Sequence, residues 1–286
     1  MPDLAPETRV GPVELTVADL DRSLDYYRSA VGLRELSRED GVMRLGANGT
    51  ELLTLREQPD AEPAPRSTGL FHFALLLPDR AALARWLAHA ARDRVPLAGM
   101  SDHLVSEAIY LRDPDWHGIE IYRDRPRPEW PHDGDGIRMD TLPLDTEDLL
   151  SSIDVDELPP FEGLPAGTNM GHVHLQVADV SETERFYRDV LGFDVMARYG
   201  NQATFMSAGG YHHHLGANTW NSLGAGPPPP GAATLRHATI VLPDAAERDR
   251  VAARVADDGQ DPKPAGEDGD VLVRDPSGNG LLLTSA

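Results

Sequence analysis

The chain of 286 residues carries a formal net charge of −21, has no cysteine, and contains one lysine, Lys263, among many arginines. The length accommodates two ordinary domains, the acidity argues against nucleic acid or anionic membrane as partners, and without thiols any metal must be held by His, Asp or Glu. No stretch approaches the ~20 apolar residues of a membrane helix and the N-terminus lacks a signal-peptide pattern, so a soluble, cytoplasmic protein is expected, its acidic and lysine-poor composition matching adaptation to high salt.

Four segments repeat one another. Residues 11–36 read GPVELTVADLDRSLDYYRSAVGLREL and residues 171–196 read GHVHLQVADVSETERFYRDVLGFDVM; aligned without gaps, Asp19 falls on Asp179, Tyr27 on Tyr187 and Gly32 on Gly192. Each reads as an alternating strand, an Asp-capped helix and a glycine stop. The second and fourth segments start at Leu70 and Leu235, and each has a histidine, then Leu-Pro-Asp, then an amphipathic helix. Further along, Asp113-Pro114 and Asp275-Pro276 turn into a last apolar strand. Every unit is β-α-β-β-β in outline. In chain order the units form a pair over residues 8–124 and a pair over 169–286. The Pro- and acid-rich linker 125–168 between them has a short helix near residues 146–152, and the four prolines at 227–230 mark an exposed loop.

Within the second unit, Glu120 lies among Ile119, Ile121 and Tyr122. An apolar strand buries such a carboxylate, and a buried carboxylate is usually paired or metal-bound. Seven residues before each capping aspartate stand Pro12, His72, His172 and His237; the last-strand position of Glu120 is Leu282 in the fourth unit. Pairing units in chain order gives two incomplete ligand sets. Pairing the second with the third unites His72, His172 and Glu120, the two-His-one-carboxylate face of non-haem Fe(II) oxygenases, and leaves Pro12, His237 and Leu282 in a ligand-poor cup. Three consecutive histidines, His212 to His214, follow Tyr211 in what reads as an internal strand, with His213 on one face and its two neighbours on the other. Tyr26, Tyr27 and Tyr187 read as helix-to-sheet packing residues.

This fourfold repeat and its motifs resemble the vicinal oxygen chelate (glyoxalase, bleomycin resistance, extradiol dioxygenase) superfamily, and within it two-domain proteins of the catechol 2,3-dioxygenase type. The resemblance covers nearly all of the chain except the linker. It implies an α+β fold of four βαβββ modules paired into two curved-sheet cups. The run His103, Ile109-Tyr110, Asp113-Pro114, Glu120 meets the extradiol signature in order and spacing, with Ser101 and Trp116 departing from it, Trp116 at the turn position where the family has glycine or proline. By resemblance His72, His172 and Glu120 are metal ligands, His103 and Tyr110 hydrogen-bond the bound catecholate or oxygen species, and His213 maps to the acid-base histidine; His214 maps instead to the fourth ligand of a glyoxalase. The implied activity is extradiol ring cleavage of a small aromatic diol with O2 on Fe(II), or on Mn2+. The alternatives are a glyoxalase-like isomerase or lyase using Zn2+ or Ni2+, and a non-enzymatic resistance-type binding protein. A homo-oligomer is compatible with the chain but not needed to complete a cup.

Overall fold

In the computed structural model, which describes residues 3–134, 136–266 and 269–286, the four units appear as four modules. The first holds β1 (Arg9–Val17), α1 (Leu20–Tyr26), β2 (Arg34–Glu39), β3 (Val42–Ala47) and β4 (Thr50–Glu57). The second holds β5 (Gly69–Leu76), α2 (Arg80–Asp93), β6 (Gly99–Asp102), β7 (Ser106–Arg112) and β8 (Gly118–Asp124). The linker adds β9 (His132–Asp133), β10 (Gly136–Ile137), β11 (Leu142–Pro143) and α3 (Thr146–Ser151), the last where a short helix was expected. The third comprises β12 (Asn169–Gln176), α4 (Val180–Arg185), β13 (Asp194–Tyr199), β14 (Ala203–Ser207) and β15 (Leu215–Asn218). The fourth comprises β16 (Leu235–Leu242), α5 (Ala245–Asp257), β17 (Lys263–Ala265), β18 (Asp270–Arg274) and β19 (Gly280–Ser285).

Each module helix starts at the expected aspartate. The side chains of Asp19, Asp79, Asp179 and Asp244 accept from the backbone N–H three residues on, at 2.7 to 2.9 Å, which satisfies one of the orphan donors of the first turn. In modules one and three the helix widens into a π turn (Tyr27–Val31 and Phe186–Leu191) that stops at Gly32 and Gly192 in the left-handed conformation. Beyond packing, Tyr27 Oη donates to Asp113 at 2.9 Å and Tyr187 Oη to Asp275 at 3.2 Å. Each tyrosine thus ties its module to the Asp-Pro turn of the next.

The strands form two large sheets. One has nine strands in the order β11-β6-β7-β8-β5-β12-β15-β14-β13, the other eight in the order β17-β18-β19-β16-β1-β4-β3-β2. Modules two and three are therefore joined by the antiparallel pair β5–β12, and modules one and four by β1–β16, the cross-pairing that the ligand pattern called for. Side chains alternate along these first strands. Leu15, Phe73, Val173 and Ile240 enter one continuous core with Trp86, Tyr187 and Phe186 from the helical segments, while His72 and His172 sit on the opposite faces of their strands. Among the described residues no helix is long and apolar enough to cross a membrane.

Candidate metal centre

Strand register builds the site. Across the middle of the nine-stranded sheet, His172 of β12 stands opposite Ala74 of β5, Ala74 opposite Glu120 of β8, and Glu120 opposite Tyr110 of β7. Ala74 is fully buried and small, so the side chains of Glu120 and His172 can meet across it. His72, two residues before Ala74 and on the same face, closes the group. The Nε2 atoms of His72 and His172 lie 3.0 and 3.1 Å from the same oxygen, Glu120 Oε2, and all three residues are buried. Two glycines make room. A Cβ on Gly118 would fall 2.0 Å from the Phe71 carbonyl oxygen, and one on Gly171 would fall 1.8 Å from the Tyr122 hydroxyl; Gly171 is also the extra residue of a bulge between β12 and β5.

The donor set fits a cation. Burial alone would raise the Glu120 carboxyl, but the imidazoles of His172 and then His72 outweigh it and hold it well below the usual range. Burial pushes His172 down, against the pull of Glu120. His72 Nε2 is within reach of the carboxylate yet makes no aligned hydrogen bond to it, a buried polar atom without a protein partner. Such orphans carry a cost unless something else satisfies them, and a divalent ion shared by two imidazoles and a carboxylate would do so. Among the described residues this is the single group of three or more His, Cys, Asp or Glu placed to hold an ion.

The other expected site residues divide. His103 Nδ1 lies 2.7 Å from the Asp140 carbonyl and its Nε2 lies 2.7 Å from Tyr110 Oη. A carbonyl only accepts, so Nδ1 carries the proton and Tyr110 donates its own to Nε2. Burial and the charge of Glu120 raise the Tyr110 phenol well above 10, which keeps it protonated. The histidine run is a bend preceding β15 and not the strand expected. In an extended strand adjacent side chains point apart, whereas here His212 Nδ1 and His213 Nδ1 meet at 2.8 Å, and His212 Nε2 meets Asp124 Oδ1 at 2.8 Å. His213 packs against His172 with ring centroids 4.0 Å apart and the planes tilted by 45°, and burial pushes it well below its ordinary value. His214 is not brought to the centre: its Nδ1 accepts from Ala208 N–H, and its ring lines a separate cavity with Gly11 and Met170.

A cavity of about 370 Å³ opens onto the three donors and is lined by His103, Tyr110 and His213 and by the rings of Phe71, Phe205 and Trp220, with Phe205 beside His213 at 5.2 Å between ring centroids. Phe71 shares the face of His72 because the β5–β12 register skips a residue there, the usual effect of a bulge in re-aiming a side chain. Linker residues Met139, Asp140 and Thr141 complete the wall. Both arginines in the lining are engaged: Arg198 on Glu184 at 2.7 Å, and Arg112 on the carbonyl and ring of Trp116. Sequence reasoning passed over His174, Asp140 and Asp124. His174 lies two residues beyond His172, is buried, and has an Nε2 without a partner; the GHVH spacing was its signal. In the other cup Pro12, His237 and Leu282 line a larger cavity of about 1070 Å³. Its Glu14 is shared by Arg56 and Arg236, and its Arg44 pairs with Glu51.

Residues 9–121 and 169–283 match the model of the Glyoxalase/Bleomycin resistance protein/Dioxygenase superfamily. A Catechol-2,3-dioxygenase of Bacillus subtilis (strain 168) is 45% identical over 260 residues, which cover 89% of this chain and 90% of that protein. In fold, the crystal structure of a dioxygenase candidate from Bacillus subtilis overlays with a TM-score of 0.69 at 14% identity, over 99% of this chain and 86% of that one. Glyoxalase I from Zea mays overlays at 0.59 and 16%, over 98% and 92%.

Proposed function

Because the chain belongs to the glyoxalase/bleomycin resistance/dioxygenase superfamily, we propose that it is an extradiol dioxygenase that opens the ring of a catechol bearing no charged substituent, with O2 as co-substrate and iron(II) as the metal. The observation that carries this reading is the convergence of His72, His172 and Glu120 at the floor of an aromatic-walled cavity. Three protein donors on one face leave positions for a diol and O2. Iron, or manganese in its place, would supply Lewis acidity to the diol and an electron path to O2 when bound.

The chain's own residues supply the rest. Phe71, Phe205 and Trp220 give the ring an apolar wall, and the engagement of Arg112 and Arg198 leaves a substrate carboxylate poorly met. His213, neutral and against His172, is placed to take a proton from the diol. Tyr110 has one proton, given to His103 Nε2 in the resting site, and would turn it toward oxygen charge that develops at the centre. Asp140 and Thr141 of the linker add a polar stretch to the cavity wall. The isomerase alternative drew on His214 as a fourth ligand, and the placement of that ring in another cavity weighs against it.

The test is anaerobic purification with metal analysis, then O2 uptake on adding catechol, 4-methylcatechol or 3,4-dihydroxybenzoate. The expected outcome is about one iron per chain, O2 consumption with a yellow product from the first two, and a much weaker response to the acid. Zinc or nickel with no O2 uptake would move the assignment to an isomerase.

A further inference from the structure

We propose that Asp124 and His212 fix the tautomer of His213, so that His213 offers an unprotonated Nε2 to the catalytic cavity. Asp124 acts here as a positioning residue; the inference rests on the reading of His213 as the proton acceptor. The chain of contacts runs Asp124 Oδ1 to His212 Nε2 at 2.8 Å, then His212 Nδ1 to His213 Nδ1 at 2.8 Å. A carboxylate only accepts hydrogen bonds, and a neutral imidazole has one donor and one acceptor nitrogen. His212 therefore carries its proton on Nε2, toward Asp124, and its Nδ1 is bare. A bare Nδ1 accepts, so His213 must carry its proton on Nδ1. Its Nε2 is left as a lone pair, on a ring that lines the cavity beside His172.

The surroundings favour one direction for this chain. His212 is fully buried, with the rings of Tyr211 and Trp130 at 4.1 and 5.2 Å, so water does not compete for its nitrogens. Arg123, next to Asp124, directs Nη1 to the Asp124 backbone carbonyl and its other nitrogens to Glu107, so no guanidinium takes the Asp124 carboxylate, which faces His212 and the Tyr211 hydroxyl. Asp124 lies four residues beyond Glu120, and residues 120, 122 and 124 share a strand face. One strand thus brings both the metal-binding carboxylate and the carboxylate that orders the histidines.

Asp124→Asn keeps the shape and inverts the logic. An amide can donate to His212 Nε2, which would put the His212 proton on Nδ1, leave His213 Nδ1 accepting, and place a proton on the nitrogen that faces the cavity. The measurement is a two-bond 1H–15N spectrum of zinc-loaded, 15N-histidine-labelled protein, with His213 assigned by its loss in His213→Gln. The expected result is an Nδ1–H tautomer of His213 in the parent and an Nε2–H tautomer in Asp124→Asn. With the iron-loaded enzyme, kcat for catechol should fall by about a hundredfold in the variant with KM little changed, and Asp124→Glu should restore part of it. An Nε2–H tautomer of His213, or a doubly protonated His212, in the parent would overturn the proposal, as would an unchanged tautomer in Asp124→Asn. If the parent fails to oxidise any catechol, the dioxygenase reading falls, while the spectrum still decides the tautomer.

Discussion

Glu120 is 2% exposed and has two imidazoles within 3.1 Å. Leaving a charge buried with one partner removed typically costs 3–5 kcal/mol, so each member of the group depends on the others and on the ion they can share. Glu120→Ala should lose bound metal as well as activity, and retained metal by elemental analysis would remove Glu120 from the ligands. His237→Ala should leave metal content unchanged, because its ring lines the other cup beside Glu14; loss of metal in that variant would sink the single-centre reading. At this scale the sequence was informative where a residue broke a pattern. Glu120 interrupts an apolar run, and His72 and His172 recur at a fixed distance from a capping aspartate. It was silent where a partner comes from far along the chain: His103 is held by the carbonyl of Asp140, 37 residues away, and no local signal marks that linker residue. His174 and Asp124 were hidden differently, since each follows a proposed ligand at an even spacing and so passes for ordinary strand alternation.

The β7–β8 turn shows how an element can bear strain beside a site. Trp116 stands where the extradiol signature has a glycine or proline, and its φ is +70°, in the left-handed region that a bulky side chain enters at a cost of about 1–2 kcal/mol. The residue is 62% exposed, with the Arg112 guanidinium over its ring at 5.7 Å. Trp116→Gly relieves the backbone but makes the unfolded chain more flexible by roughly 0.5–1 kcal/mol. The net expectation is a gain of somewhat under 1 kcal/mol, read as a rise of about 2 °C in Tm; a fall in Tm would mean that the Arg112 contact is worth more than the strain. Capped helices and alternating strands were legible because their signals are local. The histidine bend was not, because an apolar continuation into Leu215 reads as strand, and what bends the backbone is a side-chain chain running to Asp124 on another element. The tyrosines of the π turns after α1 and α4 likewise meet partners far along the chain, Asp113 and Asp275.

Across the whole molecule, the pairing of modules two with three and one with four means that neither half of the chain contains a complete cup. His72 and Glu120 come from before the linker and His172 from after it. That pairing was readable only through chemistry: helix and strand patterns are the same in all four modules, and it was the uneven distribution of candidate ligands that favoured one arrangement. The consequence can be tested with the linker. Residues 154–160 are almost entirely exposed and lack regular structure, so limited proteolysis should cut there first. The two fragments would still share the ladders β5–β12 and β1–β16, the Asn48 contact to the Leu164 carbonyl, and a core that runs through both. Burial on that scale outweighs the loss of one tether, whose removal changes only the entropy of bringing the halves together. The nicked protein should therefore elute at the size of the intact chain, keep its metal, and come apart only in denaturant. Halves that separate on gel filtration in buffer, each carrying metal, would show that a complete site exists within one half and would overturn the cross-paired architecture.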